Sequence, residues 1–261
     1  MTMTSMLFAL SGSGSTAGWF ERNLPLLYKM FDTVRGNPQE FLTALTDHIF
    51  LLVITPVTLA ILVAVPLGII ASRHTGFERI AMTIVNIIQT IPSLALLVLL
   101  LVGGLGLGPR TAITALFLYS LMPIMRSTLV GIKGVDPFLK EAALGMGMTN
   151  MQRLRLVELP LSLSVILSGV RTATIICIGT GTLAAYVGAG GLGSYIVRGL
   201  NFFRNDLLLL GAVPAALMAL LADNLLVRLE QRLIPRGLRV DTGNGNQKNS
   251  KYNSAETVRS A

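Results

Sequence analysis

Residues 136–160 read DPFLKEAALGMGMTNMQRLRLVELP, the longest polar-rich segment lying between apolar ones. Its reading decides the fold. The stretch predicts two short helices with a glycine hinge. Asp136 is placed to cap the first helix, and Pro137 suits its first position, where a missing N–H costs nothing. Phe138, Leu139, Ala142, Ala143 and Met146 then share one side at helical spacing. Gly147 supplies the left-handed residue that ends such a helix. Thr149 and Gln152 form a T-x-x-Q capping box that starts the next one. Pro160 marks the entry into a new apolar span. The result is a short amphipathic elbow between membrane helices, carrying Lys140, Arg153 and Arg155 and shaped to be gripped by another body.

Outward from the elbow the chain is apolar. Of its 261 residues, 52% are hydrophobic and 13% charged. Soluble domains carry about 25% charged residues, so the balance points to lipid. Five charge-poor runs follow: 49–71, 80–108, 111–125, 159–187 and 207–226. The first is long enough to cross a ~30 Å hydrocarbon core as a helix. The second ends in a glycine-rich exit loop, GGLGLGP. The third is short, but Arg110 and Arg126 flank it and can snorkel. The expected fold is therefore an all-α membrane protein with about five transmembrane helices and a coupling elbow between spans three and four. Residues 1–47 form an extracytoplasmic or interfacial segment, 48–235 the transmembrane domain, and 236–261 a polar, disordered tail. Ser11 to Gly18 reads as a flexible run. Trp19, Phe20, Leu24, Leu26, Leu27 and Tyr28 read as an interfacial helix or a surface-lying tail.

Net charge is +8, and the basic residues sit in short loops between apolar runs, which argues for membrane orientation rather than nucleic acid. Arg73, Arg79, Arg126, Lys133, Lys140, Arg153, Arg155, Arg228, Arg232, Arg236 and Arg239 gather on one side. Arg22, Lys29, Arg35, Arg110, Arg198 and Arg204 gather on the other. The richer side is cytoplasmic. That places the amino terminus outside, the carboxyl terminus inside and the elbow in the compartment that holds ATP.

No catalytic constellation is present, and no phosphate loop of the G-x-x-x-x-G-K-[ST] type, so no ATP hydrolysis is expected from this chain. Cys177 stands alone, and His48 and His74 have no metal-ligand spacing, so no metal site is expected. Gly188, Gly190 and Gly193 satisfy G-x-G-x-x-G, but a membrane span precedes them and no acidic residue follows at the right distance. They read as a tight turn. Arg171 and Asp223 are charges inside spans, which are costly in lipid. Arg171 either lines a pathway or pairs with Asp223 or with carbonyls. Gln89, Thr90, Ser93, Thr172 and Thr180 either line a water-filled route or hydrogen-bond across helix interfaces. Prolines lie in or near every span (Pro56, Pro66, Pro92, Pro123, Pro160, Pro214). They suit helices that gate and also ordinary membrane-helix composition.

The segment from Glu141 onward resembles the EAA loop of permease subunits of ABC importers: E-A-A, three residues, G, nine residues, an aliphatic residue, any residue, L-P. Those positions are Glu141, Ala142, Ala143, Gly147, Val157, Leu159 and Pro160, with Val where Ile is common. The resemblance extends over roughly residues 48–235. IIQTIPSLALLVLLL (87–101), LYSLMPIMRSTLVGIKGVDP (118–137) and GVRTATIICIGTGTLAAYVGAGGLG (169–193) look like the branch that imports glycine betaine, choline and carnitine. Arg171 and Thr172 match that branch, whereas Cys177 and Gly181 depart from the expected Asn and Ala. The resemblance implies a multi-pass inner-membrane transport subunit that is not itself an enzyme. Its implied partners are two copies of an ABC ATPase that binds ATP and Mg, an extracytoplasmic substrate-binding protein, and a second permease copy or a paralogue. A methionine or other amino-acid permease is the runner-up. An ion-coupled secondary transporter is the reading from another class, and it lacks the internal repeat it would need.

Overall fold

The computed structural model describes residues 25–233, and within them every element is helical and no strand forms. Helix α1 spans Pro25–Gly36 and α2 spans Pro38–Arg73, each opening on a proline that needs no N–H partner. Helix α3 (Thr75–Thr90) and α4 (Ser93–Leu105) follow. Then come α5 (Pro109–Lys133), α6 (Pro137–Gly145), α7 (Asn150–Val187), α8 (Gly193–Asn201) and α9 (Asn205–Leu233). Four of them, α2, α5, α7 and α9, are long and apolar enough to cross a membrane alone; counting the pair α3 and α4 as one bent span makes five.

The spans differ in shape from the expected ones. The expected second span, 80–108, is two helices meeting at 99°. Pro92 disfavours the helical region at the preceding residue, and Ile91 is extended (φ −71°, ψ 127°). The Tyr119 hydroxyl donates to the Ile91 carbonyl at this corner. The expected third span, 111–125, is longer, running from Pro109 to Lys133, so Arg126 lies well inside the helix with an exposed side chain rather than at its end. The first span begins at Pro38, so no break falls at 47/48. The second elbow helix is not separate: it opens a single 38-residue helix, Asn150–Val187, and Pro160 does not interrupt it. A π-helical stretch, Leu154–Glu158, lies just ahead of Pro160, and another, Asp47–Ile54, just ahead of Pro56. The wider turn relieves the clash between the proline ring and the carbonyl four residues back. The expected run 11–18, most of the interfacial stretch and the tail 236–261 lie outside the described residues.

Helix α5 sits at the centre, held between α2 and α7 by small residues. A Cβ on Gly68 of α2 would lie 2.7 Å from Thr128 Cβ, and one on Gly169 of α7 would lie 2.5 Å from Ser127 Cβ. Close backbone approach of this kind replaces the hydrophobic drive that lipid cannot supply. The core around Leu52, Leu97, Leu116 and Ile178 fills one end of the bundle, and Ala60, Ile124, Met125 and Ala173 fill the middle. Helix α9 packs on α7 and α8 but leaves Leu217, Leu220, Leu221 and Leu225 exposed.

At one end two glycine-rich turns meet. Gly108 (φ 119°) donates its N–H to the Val187 carbonyl at 2.7 Å. Gly188, Gly190 and Gly191 all have φ between 73° and 78°, as the tight-turn reading requires. Gly193 serves differently: its φ is ordinary, but a Cβ there would lie 1.9 Å from the Thr182 carbonyl oxygen.

Candidate functional site

The elbow lies between α5 and α7. Asp136 caps α6, its carboxylate accepting from the Phe138 N–H at 2.8 Å. The helix ends in a paired reversal, with Met148 N–H donating to Ala143 O at 3.1 Å and Gly147 N–H to Leu144 O at 2.9 Å. Gly147 has φ 77°, so the left-handed position is the one the sequence supplies with glycine. Both halves of the capping box form: Thr149 Oγ1 accepts from Gln152 N, and Gln152 Oε1 accepts from Thr149 N at 2.8 Å. A rigid helix–turn–helix results.

Its apolar side chains are not used internally. Ala143 is buried, but Phe138, Leu139, Leu144, Met146, Met151 and Leu156 are exposed, Phe138 by 73% and Met146 by 70%. Glu141, Ala142, Gly147 and Pro160 are exposed too, while Val157 and Leu159 are half-buried. Glu141 makes no ion pair among the described residues. Lys140 turns inward, donating to the carbonyls of Ile132 (3.1 Å) and Lys133 (3.2 Å) at the end of α5. Arg155 remains exposed. The elbow thus exposes greasy side chains together with a carboxylate and a guanidinium that make no ion pair among the described residues.

Sequence reasoning missed the residue at its base. Glu158, the unspecified position of the motif, is fully buried. Both its oxygens accept from the Arg73 guanidinium at the end of α2, and Arg153 Nε lies 2.9 Å from its Oε1. On the same side Lys133 pairs with Glu78, tying α5 to α3.

The possible path residues fall into two groups. Gln89 and Thr90 end α3 just before the 99° corner. Ser93 begins α4 and faces Thr180 across a small crevice with Leu97, Ala115, Tyr119 and Ala184. Thr90 and Thr180 hydroxyls donate to carbonyls of their own helices. Arg171 and Thr172 lie about 13 Å farther along α7. Arg171 Nε is 3.2 Å from Asp223 Oδ1, and its Nη1 is 4.0 Å from Glu230 Oε2 on the next turns of α9. The structure therefore brings Ser93 and Thr180 together and sets Arg171 apart in an ion cluster. No group of three His, Cys, Asp or Glu gathers as a metal site among the described residues.

Residues 64–236 match the family described as binding-protein-dependent transport system inner membrane component. The chain belongs to that family. This permease is 44% identical over 203 residues to a carnitine transport permease protein of Listeria monocytogenes, covering 78% of this chain and 92% of that one. It is 42% identical over 210 residues to a glycine betaine/carnitine/choline transport system permease protein of Bacillus subtilis, covering 80% and 96%. Among solved structures, an inward-facing methionine ABC transporter superimposes with a TM-score of 0.68 at 21% identity, covering 75% of this chain and 97% of that one; at that identity the likeness concerns the fold.

Two further residues of the permease carried no sequence signal of function. His48 is fully buried, with Nε2 3.1 Å from Ile178 O and Nδ1 accepting the Leu192 N–H at 3.3 Å. A carbonyl only accepts and an amide N–H only donates, so the ring is neutral with its proton on Nε2. It latches the glycine turn to α2 and α7. Tyr119 holds the corner at Pro92. A lone His and a lone Tyr in apolar runs are the only traces either leaves in the sequence. Cys177 and Gly181, the two departures from the expected pattern, are both packing positions. Cys177 Sγ lies 3.0 Å from Ser120 Oγ, and Gly181 abuts His48 and Leu52.

Proposed function

We propose that this chain is the membrane-spanning subunit of an ATP-driven importer of a quaternary-amine osmoprotectant: glycine betaine, choline or carnitine. In this reading the elbow is cytoplasmic and sits in a groove of an ATPase subunit, of which two copies bind ATP and Mg. The amino terminus is outside and the carboxyl terminus inside. A second permease, identical or paralogous, completes the pathway, and an extracytoplasmic binding protein delivers the cargo. The observation that carries the coupling role is the exposed surface of the elbow: Phe138, Met146 and Glu141 face outward from a capped, rigid turn whose spacing is that of the EAA loop. Buried elsewhere, such side chains would have stabilised this chain alone; exposed together they fit a partner.

The cargo assignment rests on the relatives, whose names specify carnitine, choline and glycine betaine. A permease with few aromatics in its spans leaves the cation–π selection of a quaternary ammonium to the binding protein. ATP-dependent uptake of the three radiolabelled osmolytes, measured with a protonophore present, tests the reading. Glu141→Lys and Gly147→Asp are expected to remove uptake while the chain remains in the membrane. Normal uptake in both variants, or uptake that collapses with the proton gradient while ATP is held constant, would overturn it.

A further inference from the structure

The junction below the elbow holds the one fully buried carboxylate among the described residues. Glu158 ends the π-helical stretch of α7, and its two charge partners come from different bodies. Arg73 is the last residue of α2, after which His74 turns away into extended backbone (φ −128°, ψ 104°). Arg153 belongs to the elbow's second arm. One carboxylate therefore ties the end of the first span to α7, and Arg153, five residues back on the same helix, shares its charge.

The link is electrostatic rather than a packed interface. Beside it an open crevice of about 210 Å³ separates Ile69, Ile70 and His74 from Asn150, Met151 and Leu154. The apolar surfaces of α2 and the arm face one another across this gap. The Arg73–Glu158 pair bridges it. A buried carboxylate stripped of its cations is strongly destabilised, so Arg73 and Arg153 must follow Glu158 when it moves. The bidentate geometry of an arginine fork fixes direction as well as distance. No loop intervenes on either side, since the arm runs on into α7 and Arg73 is itself helical. Farther back in α2, His48 is held about 37 Å away along the helix.

We infer that Glu158 is a positioning residue of the transport cycle: with Arg73 and Arg153 it carries displacement of the elbow into the first span. This rests on the coupling role proposed above. The carboxylate touches neither nucleotide nor cargo. It converts movement of the arm into movement of α2, which the crevice leaves room for.

The test uses the complete complex of permease, ATPase and binding protein in liposomes, with whichever of glycine betaine, choline or carnitine the wild type imports. The quantity read is molecules imported per ATP hydrolysed. Glu158→Gln is expected to keep the ATPase bound and hydrolysing while the ratio falls at least fivefold. Glu158→Asp, one methylene shorter but still charged, should fall between. Arg73→Gln leaves Glu158 paired with Arg153 and so decides the matter if Glu158→Gln does not assemble; its ratio should fall as well. Glu40→Gln, which removes an exposed ion pair with Arg198 at the other end, should leave the ratio unchanged. If Arg73→Gln and Glu158→Gln lower hydrolysis and uptake in proportion, or change neither, the inference is overturned. A wild-type complex without ATP-dependent uptake would instead refute the importer reading.

Discussion

Replacing His48 by alanine should destabilise the permease strongly. The imidazole is fully buried and satisfies two backbone groups that have no other recourse. Where α7 tightens into its last, 3₁₀ stretch, the Thr182 N–H turns to Gly179 O, and the Ile178 carbonyl meets the His48 ring. Leu192 N–H, in the glycine turn, has Nδ1 as its acceptor. Removing the ring strands a donor and an acceptor in an apolar surrounding, at about 1–3 kcal/mol each. The cavity adds to this, giving about 4 kcal/mol in all. For a chain of this size each kcal/mol lowers the midpoint by about 2–4 °C, so the expected drop is about 8–16 °C. Thermal unfolding of the detergent-purified permease, followed by loss of the monodisperse chromatographic peak, measures it. His48→Phe separates the causes: it restores volume without hydrogen bonds, and should recover only the cavity part. A drop below about 2 °C for His48→Ala would refute the reasoning, since two stranded buried groups cannot cost so little.

Other positions give sharper contrasts. Gly193→Ala should abolish the folded permease, because its Cβ would meet the Thr182 carbonyl oxygen at 1.9 Å and backbone cannot yield; yield of monodisperse protein is the readout. Gly181→Ala should be neutral or stabilising by up to about 1 kcal/mol, since its Cβ meets His48 and Leu52 at 3.4–3.5 Å and alanine favours helix. Tyr119→Phe should lower the midpoint by about 2–12 °C through the unpaired Ile91 carbonyl, and should loosen the corner between α3 and α4, measurable as faster amide exchange at residues 87–97. Arg171→Gln should change stability by no more than about 1 kcal/mol, because its pairs with Asp223 and Glu230 are 23–41% exposed. A larger loss would mean that lipid or a second permease shields the cluster in the membrane.

The elbow was legible because local rules govern it. Asp136, Pro137, Gly147, Thr149 and Gln152 each bond within a few residues, so spacing alone predicts the caps. The tight turn at Gly188–Gly191 was legible for the same reason. Span ends were not, because an apolar run marks where lipid is tolerated and not where the helix stops. Helix α5 continues past Arg126 to Lys133, and α7 begins at Asn150, with polar residues reaching beyond the core. The 99° corner was foreshadowed by Pro92, but a proline alone does not distinguish a bend from a kink: Pro66, Pro123 and Pro214 lie inside continuous helices. The Arg171–Asp223 pair was one of two readings open from the chain. Glu158 and His48 were invisible, because their partners stand 85 residues and at least 130 residues away in sequence.

That division between local and distant contacts also separates the two ends of the bundle physically. At the glycine-turn end, beside the exposed Glu40–Arg198 pair, the buried contacts are short backbone hydrogen bonds, a neutral ring and Cβ-free approaches such as Gly193 on Thr182. Such contacts have one geometry; displacing them strands polar groups, and nothing nearby replaces what is lost. At the elbow end the contacts are ion pairs on long side chains: Lys133 with Glu78, and Arg73 and Arg153 with Glu158. The Arg73 fork on Glu158 fixes direction and distance and so passes a displacement on, while the part-exposed Lys133–Glu78 pair can re-form in other rotamers. Under the coupling role proposed above, the ion-paired end is the one that would move and the glycine-turn end the one that would hold. A permease driven from its elbow, as proposed, would need such an arrangement, since force applied to a surface that could not yield would never reach the pathway.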